Sequence, residues 1–148
     1  MCIDMKKLRF VHFALAVVLL SSIRIILVLA GIIPLLSEAS LWSDGIIALM
    51  LITLFAAGWR FYEDKWKSSV YKGAIAMAVA YFVIAAGILI GHAFGKEVLG
   101  IPIVSGFSLF LIIIINLFVY MLMGAVVVLA GAFFSRMFKK KEKKVKRK

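Results

Sequence analysis

Arg24 is the residue of this sequence best suited to chemistry, because it lies inside the apolar run LLSSIRIILVL at residues 19–29. A charged side chain in such a run is costly in a bilayer, so it generally faces protein or water and has a partner. A guanidinium here could bind an anion, a lipid phosphate or a carboxylate of a partner subunit. Two structural alternatives are an ion pair that fixes helix packing and a side chain that extends to the outer headgroups.

Depth in the membrane selects the residues that Arg24 could meet. Counted at 1.5 Å per residue from the basic residues that end each apolar segment, Arg24 lies about 22 Å and Asp44 about 24 Å above the inner edge. Counted from Phe134 in the same way, Tyr120 lies at about 21 Å and Asn116 at about 27 Å. Asn116 and Tyr120 share one helix face through their i, i+4 spacing. We therefore predict an intramembrane polar cluster of Arg24, Asp44, Asn116 and Tyr120.

A second feature is the run GILIGHAFG, in which Gly87, Gly91 and Gly95 recur at every fourth residue. Small residues at this spacing let helices approach closely, which favours helix association in lipid. We predict that the three glycines form a helix-packing face. The pattern leaves open whether its neighbour is another helix of this chain, a second copy or a different protein.

Catalytic and metal-binding groups are scarce. His12 and His92 fall at opposite ends of their segments, so they cannot bind the same metal or haem, and Cys2 is the single cysteine. Glu63 and Asp64 are sequence neighbours, whose side chains point apart on a helix. The sequence contains no HExxH, no CxxC and no phosphate-binding glycine loop. We expect no enzymatic activity, no metal site and no cofactor.

Four apolar segments must position these residues. The chain has 148 residues, 65% of them hydrophobic, and a mean hydropathy of +1.11, which is far more apolar than a usual soluble domain. The segments fall at 10–36, 41–59, 73–94 and 107–134, and each approaches the roughly 20 residues that a helix needs to cross a bilayer. We predict an all-α integral membrane protein, a four-transmembrane-helix up-down-up-down bundle in one domain of residues 1–138.

Lysine and arginine are sharply sorted along the chain. They precede the first segment, separate the second from the third and follow the fourth, whereas residues 37–43 and 95–106 contain only Lys96. By the positive-inside rule, we predict a multi-pass protein of the cell membrane with both termini cytoplasmic. The first segment is longer than the apolar region of a signal peptide and contains Arg24, so we predict an uncleaved anchor.

The last ten residues, KKKEKKVKRK, form a basic tail at 139–148 that we predict to be disordered. Basic residues directly after a span attract anionic lipid at about 1 kcal/mol per charge near the surface. Membrane lipid is therefore an expected partner, with its anionic headgroups at Lys139 to Lys148. Nucleic acid is not expected, because the tail has no aromatic residue on which a base could stack.

Two functional hypotheses follow from these features. The first is a non-enzymatic accessory protein or subunit that packs against a partner membrane protein or against itself, since the chain is small and carries the glycine face. The alternative is a channel or transporter component that binds an anion or a lipid headgroup through Arg24.

Overall fold

Four apolar helices make up nearly all of the structure. The computed structural model describes residues 5–36, 40–60, 66–96, 98 and 106–145. Its helices are α1 (Met5–Leu29), α2 (Leu41–Arg60), α3 (Trp66–Ala93) and α4 (Gly106–Val145). Each contains an apolar stretch long enough to cross a membrane, of 20, 20, 27 and 33 residues in turn. The prediction of an all-helical chain with four potential membrane spans is confirmed.

The helices form a ring in the order α1, α2, α4, α3. Helix α4 packs extensively against both α3 and α2, whereas α1 packs against α3 and, less extensively, against α2. Helices α2 and α3 barely touch, although they are consecutive in the chain. We call the end of the ring that contains Leu29, Leu41 and Ala93 the outer end, and the opposite end the inner end.

Helix α4 approaches its two neighbours through glycines. A Cβ atom built on Gly124 would collide with the backbone oxygen of Gly73 on α3, and one on Gly73 would collide with that of Gly124. On the other side, a Cβ on Gly58 of α2 would meet the backbone oxygen of Val128. Contacts this close bring backbones together and leave no room for larger side chains.

Helix α1 ends at Leu29, whereas the sequence predicts that it ends near residue 36. Gly31 has a φ of 73°, a left-handed conformation that residues with a Cβ adopt at a cost. Its N–H donates to the Val28 oxygen at 3.0 Å, and the N–H of Ile32 donates to the Leu27 oxygen at 3.0 Å. This is a Schellman ending, which satisfies the last carbonyls of a helix.

Helix α3 ends in the same way at Gly95, which has a φ of 66°. The Gly95 N–H donates to the His92 oxygen at 3.1 Å, and the Lys96 N–H donates to the Gly91 oxygen at 2.8 Å. A Cβ on Gly95 would meet nothing within 4 Å. Gly95 therefore terminates the helix, and it does not pack in line with Gly87 and Gly91.

Lys96 connects the outer ends of α1 and α3. Its Nζ donates to the Leu29 oxygen at 3.1 Å, at the C-terminus of α1, where the helix dipole favours a cation. The Leu36 N–H donates to the Val98 oxygen at 2.9 Å, so the loops that follow the two helices are also joined. This contact gives a structural role to the one basic residue that the sequence places in an outer loop.

Replacement of Lys96 by Met should lower the melting temperature of the detergent-solubilised protein slightly. The side chain is exposed, so we expect the free energy of unfolding to fall by only about 0.5 kcal/mol. Lys67→Met is the matched control, because Lys67 lies in the first turn of α3, where the dipole disfavours a cation. An equal loss of thermal stability in both variants would contradict the capping role.

Helices α3 and α4 are longer than predicted at their inner ends. Helix α3 begins at Trp66 instead of residue 73, and α4 continues to Val145 instead of ending at 134. Helix α4 thus includes the first part of the basic tail, and 146–148 lie outside the described residues. The expectation that this tail is disordered stays a prediction. Lysine and glutamate are good helix formers, and neither glycine nor proline follows Gly131. With 40 residues, α4 is about 60 Å long.

Candidate functional site

Arg24 is buried between α1 and α2 near the outer end, with 4% of its surface exposed. Its Nε and Nη2 atoms both donate to the hydroxyl oxygen of Ser43 on α2, at 3.0 and 2.9 Å. Nη2 also makes a long contact of 3.5 Å with the backbone oxygen of Leu36, in the loop after α1. We refer to Arg24, Ser43 and Leu36 as the arginine site.

The charge of Arg24 is not neutralised within the described part of the chain. Both of its acceptors there, a serine hydroxyl and a backbone carbonyl, are neutral. The two N–H bonds of Nη1 donate to none of the described residues. A guanidinium has five N–H donors in a fixed plane, and the two on Nη1 have no acceptor among the described residues.

The other three residues of the predicted polar cluster lie elsewhere. Asp44 is exposed, and its backbone N–H donates to the Ser40 oxygen at 2.8 Å. The amide of Asn116 donates to the Ile112 oxygen of its own helix at 2.9 Å. The ring of Tyr120 packs against that of Tyr81, with centroids 4.9 Å apart. The structure therefore joins Arg24 to Ser43, and it does not bring Asp44, Asn116 or Tyr120 onto the guanidinium.

The start of α2 adds positive potential to the arginine site. Ser40 caps this helix, since its hydroxyl oxygen accepts from the Ser43 N–H at 3.1 Å. The N-terminus of a helix carries a partial positive charge that favours anions and disfavours cations. The fold thus holds a guanidinium against the end of a helix that would repel it. An anion at this position would be stabilised by both.

Ser43 and Tyr81 are buried polar residues that sequence reasoning missed. Ser43 could have been found by the same depth arithmetic that selected its neighbour Asp44, and by the Ser40–Ser43 spacing of an N-cap. Tyr81 has a buried hydroxyl with no hydrogen-bond partner in the described part of the chain. A third buried residue, Ser21, donates only weakly, to the sulfur of Met50 at 3.7 Å.

The glycine face of α3 is occupied by the chain itself. A Cβ on Gly87 would collide with the side chain of Ile25 on α1. One on Gly91 would collide with Val98 and lie 3.3 Å from Leu29. Of the three neighbours that the sequence left open, the structure supplies the first, another helix of the same chain.

No group of three or more His, Cys, Asp or Glu side chains comes together among the described residues. No family model matches the chain, and no similar curated protein or solved structure was found. The fold and the site therefore define only a class: a helical protein with four potential membrane spans and a buried arginine near one end.

Proposed function

We propose that this protein binds a phosphate group on Arg24 at the outer end of the bundle, either that of a lipid headgroup or free inorganic phosphate. The observation that carries this proposal is a guanidinium with 4% exposure whose acceptors in the described chain are neutral. Guanidinium and phosphate form paired, charge-assisted hydrogen bonds, and the two donors of Nη1 suit such a pair.

A purely structural arginine would be expected to have a carboxylate partner. Leaving a buried charge uncompensated costs about 3–5 kcal/mol, so a fold that needs Arg24 only for packing gains by pairing it. Asp44 follows Ser43 directly, yet it is exposed while Ser43 accepts the hydrogen bonds. Among the described residues, the arginine site therefore keeps a net positive charge, which supports ligand binding over a packing role.

In this proposal the helices cross the membrane alternately, with both termini cytoplasmic and the arginine site on the outer side. The distribution of lysine and arginine supports this orientation through the positive-inside rule. Contacts within two pairs of consecutive helices support opposite directions. Ser21 with Met50 and Arg24 with Ser43 do so for α1 and α2, and Gly73 with Gly124 and Tyr81 with Tyr120 do so for α3 and α4.

The accessory-subunit hypothesis stays a prediction. It rests on the small size of the chain and on the glycine face, of which Gly87 and Gly91 already pack against Ile25 and Leu29. The many exposed apolar side chains are those that a membrane protein presents to lipid tails, so they do not by themselves indicate a partner protein.

Arg24→Gln should weaken phosphate binding at least about tenfold. The probes are inorganic phosphate, compared with chloride at equal ionic strength, and mixed micelles of phosphatidylglycerol or phosphatidylcholine, with protein melting temperature as the readout. We expect the wild-type protein to be stabilised by one of these phosphates and Arg24→Gln to need at least about tenfold more ligand. Arg60→Gln, at the other end of α2, should bind normally.

The outcomes separate the two sources of phosphate. Stabilisation by inorganic phosphate alone identifies the free ion, and stabilisation by micelles alone identifies a headgroup. Arg24→Lys replaces Arg24→Gln in this test if the glutamine variant does not fold, because lysine keeps the positive charge. A lysine cannot form the paired hydrogen bonds of a guanidinium, so this variant should also bind phosphate more weakly. Unchanged binding in a folded Arg24→Gln or Arg24→Lys protein would overturn the proposal.

A further inference from the structure

An apolar groove runs along one face of α4 towards its inner end. A cavity of about 510 Å³ lies against this face. Five of its lining residues follow one another at i, i+3, i+4, i+7 and i+10, and so occupy a single stripe of the helix: Val126, Leu129, Ala130, Phe133 and Arg136. Four of the five are apolar, and the one charge lies at the inner end. We call this stripe the α4 groove.

The length of the α4 groove corresponds to one leaflet of a bilayer. From Val126 to Arg136 the helix rises about 15 Å, half of the roughly 30 Å hydrocarbon core. Ala130, the smallest residue of the stripe, lies between Val126 and Phe133. An acyl chain with its headgroup at Arg136 would therefore lie at its ordinary depth.

The basic residues beyond the groove continue on the same face. At 100° per residue, Lys140 and Lys144 lie within about 20° of Phe133, and Arg136 lies within about 60°. Glu142, the one acidic residue of the 139–148 run, lies about 180° away, on the opposite face. The stripe thus changes from apolar to basic without meeting an opposing charge, over a helix that continues to Val145.

We infer that the α4 groove binds one anionic phospholipid, with an acyl chain along Val126 to Phe133 and its phosphate at Arg136, on the helix face where Lys140 also has its place. Charge complementarity selects an anionic lipid, and the apolar groove selects a chain-bearing ligand over a free anion. A diffuse attraction between the tail and the membrane would depend only on the number of lysines. Lipid binding in the α4 groove should instead depend on which lysines are present. This site is independent of Arg24 and lies at the other end of the molecule.

Two matched pairs of variants test the site. Lys139 and Lys140 are adjacent and equally charged, but Lys139 lies about 120° from Phe133. Ala130→Phe fills the groove, and Val119→Phe adds a phenylalanine at an exposed position about 16 Å away. The measurement is native mass spectrometry of the full chain in detergent, titrated with phosphatidylglycerol or phosphatidylcholine.

We expect one phosphatidylglycerol to be retained per chain at concentrations where phosphatidylcholine is not. Ala130→Phe should weaken this binding at least about tenfold, and Arg136→Gln and Lys140→Gln should each weaken it several-fold. Val119→Phe and Lys139→Gln should leave it unchanged. Equal effects of Lys139→Gln and Lys140→Gln, or full binding by folded Ala130→Phe, would overturn the inference.

Discussion

Gly124→Leu is expected to prevent α3 and α4 from packing and to leave the protein unfolded in mild detergent. The added side chain would collide with the Gly73 backbone and with Met77. Backbone atoms cannot move aside as a flexible side chain can, so we expect the loss of stability to exceed the roughly 1–3 kcal/mol of ordinary overpacking. Unfolding by sodium dodecyl sulfate, followed by circular dichroism or tryptophan fluorescence, measures this loss.

Gly45→Leu is the control for Gly124→Leu. Gly45 also lies within a helix, but a Cβ there would meet nothing within 4 Å, and leucine is the better helix former. The stability of this variant should equal or exceed that of the wild type. Similar losses in the two variants would mean that the close approach of α3 and α4 does not hold the bundle together.

Ser43→Ala should destabilise the protein more than Arg24→Met does. The alanine variant leaves the guanidinium buried without the acceptor of two of its hydrogen bonds, which costs about 1.5–3 kcal/mol for a charged group. Arg24→Met removes the buried charge together with its need for a partner, and such replacements are often neutral or stabilising. The quantity to measure is the free energy of unfolding in detergent.

A double-mutant cycle makes this comparison quantitative. In the Arg24→Met background, Ser43→Ala should cost little, so the two substitutions should be strongly non-additive. Ser22→Ala is the control, because its hydroxyl donates only to the Val18 oxygen of its own helix. Additive losses from Arg24→Met and Ser43→Ala would show that Ser43 does not stabilise the buried charge.

The existence of the four helices could be predicted from hydrophobicity alone, because an apolar run of sufficient length has no other stable form in lipid. The ends of the helices could not be predicted in this way, because local sequence signals for helix termination or continuation override the length of the apolar run. Gly31 and Pro34 stop α1 inside a stretch that remains apolar to Leu36. At the other extreme, α4 continues beyond its apolar stretch, because lysines and a glutamate propagate a helix as well as apolar residues do.

The depth of the candidate site along the helices could be predicted from the sequence, but the direction in which each side chain points could not. Counting residues placed Arg24 level with Asp44, and the structure joins it to the adjacent Ser43. One residue along a helix changes depth by only 1.5 Å but turns the side chain by about 100°. Which face of α2 meets α1 is decided by the packing of all four helices. For the same reason, the spacing of Gly87 and Gly91 could predict a close neighbour but could not identify Ile25 and Leu29.

The ring order of the helices has a consequence for how the protein is made. Helix α1 packs against α2, and α3 packs against α4, whereas α2 and α3 barely touch, so the chain contains two helical hairpins, α1–α2 and α3–α4. The first hairpin is synthesised before the second, so it can form on its own first. The hydrogen bonds from Arg24 to Ser43 lie entirely within this first hairpin. The close contact of Gly58 with Val128, in contrast, requires α4 of the second hairpin. The first hairpin can thus supply the hydrogen bonds of its own buried charge, and the second hairpin completes the apolar contacts between the helices.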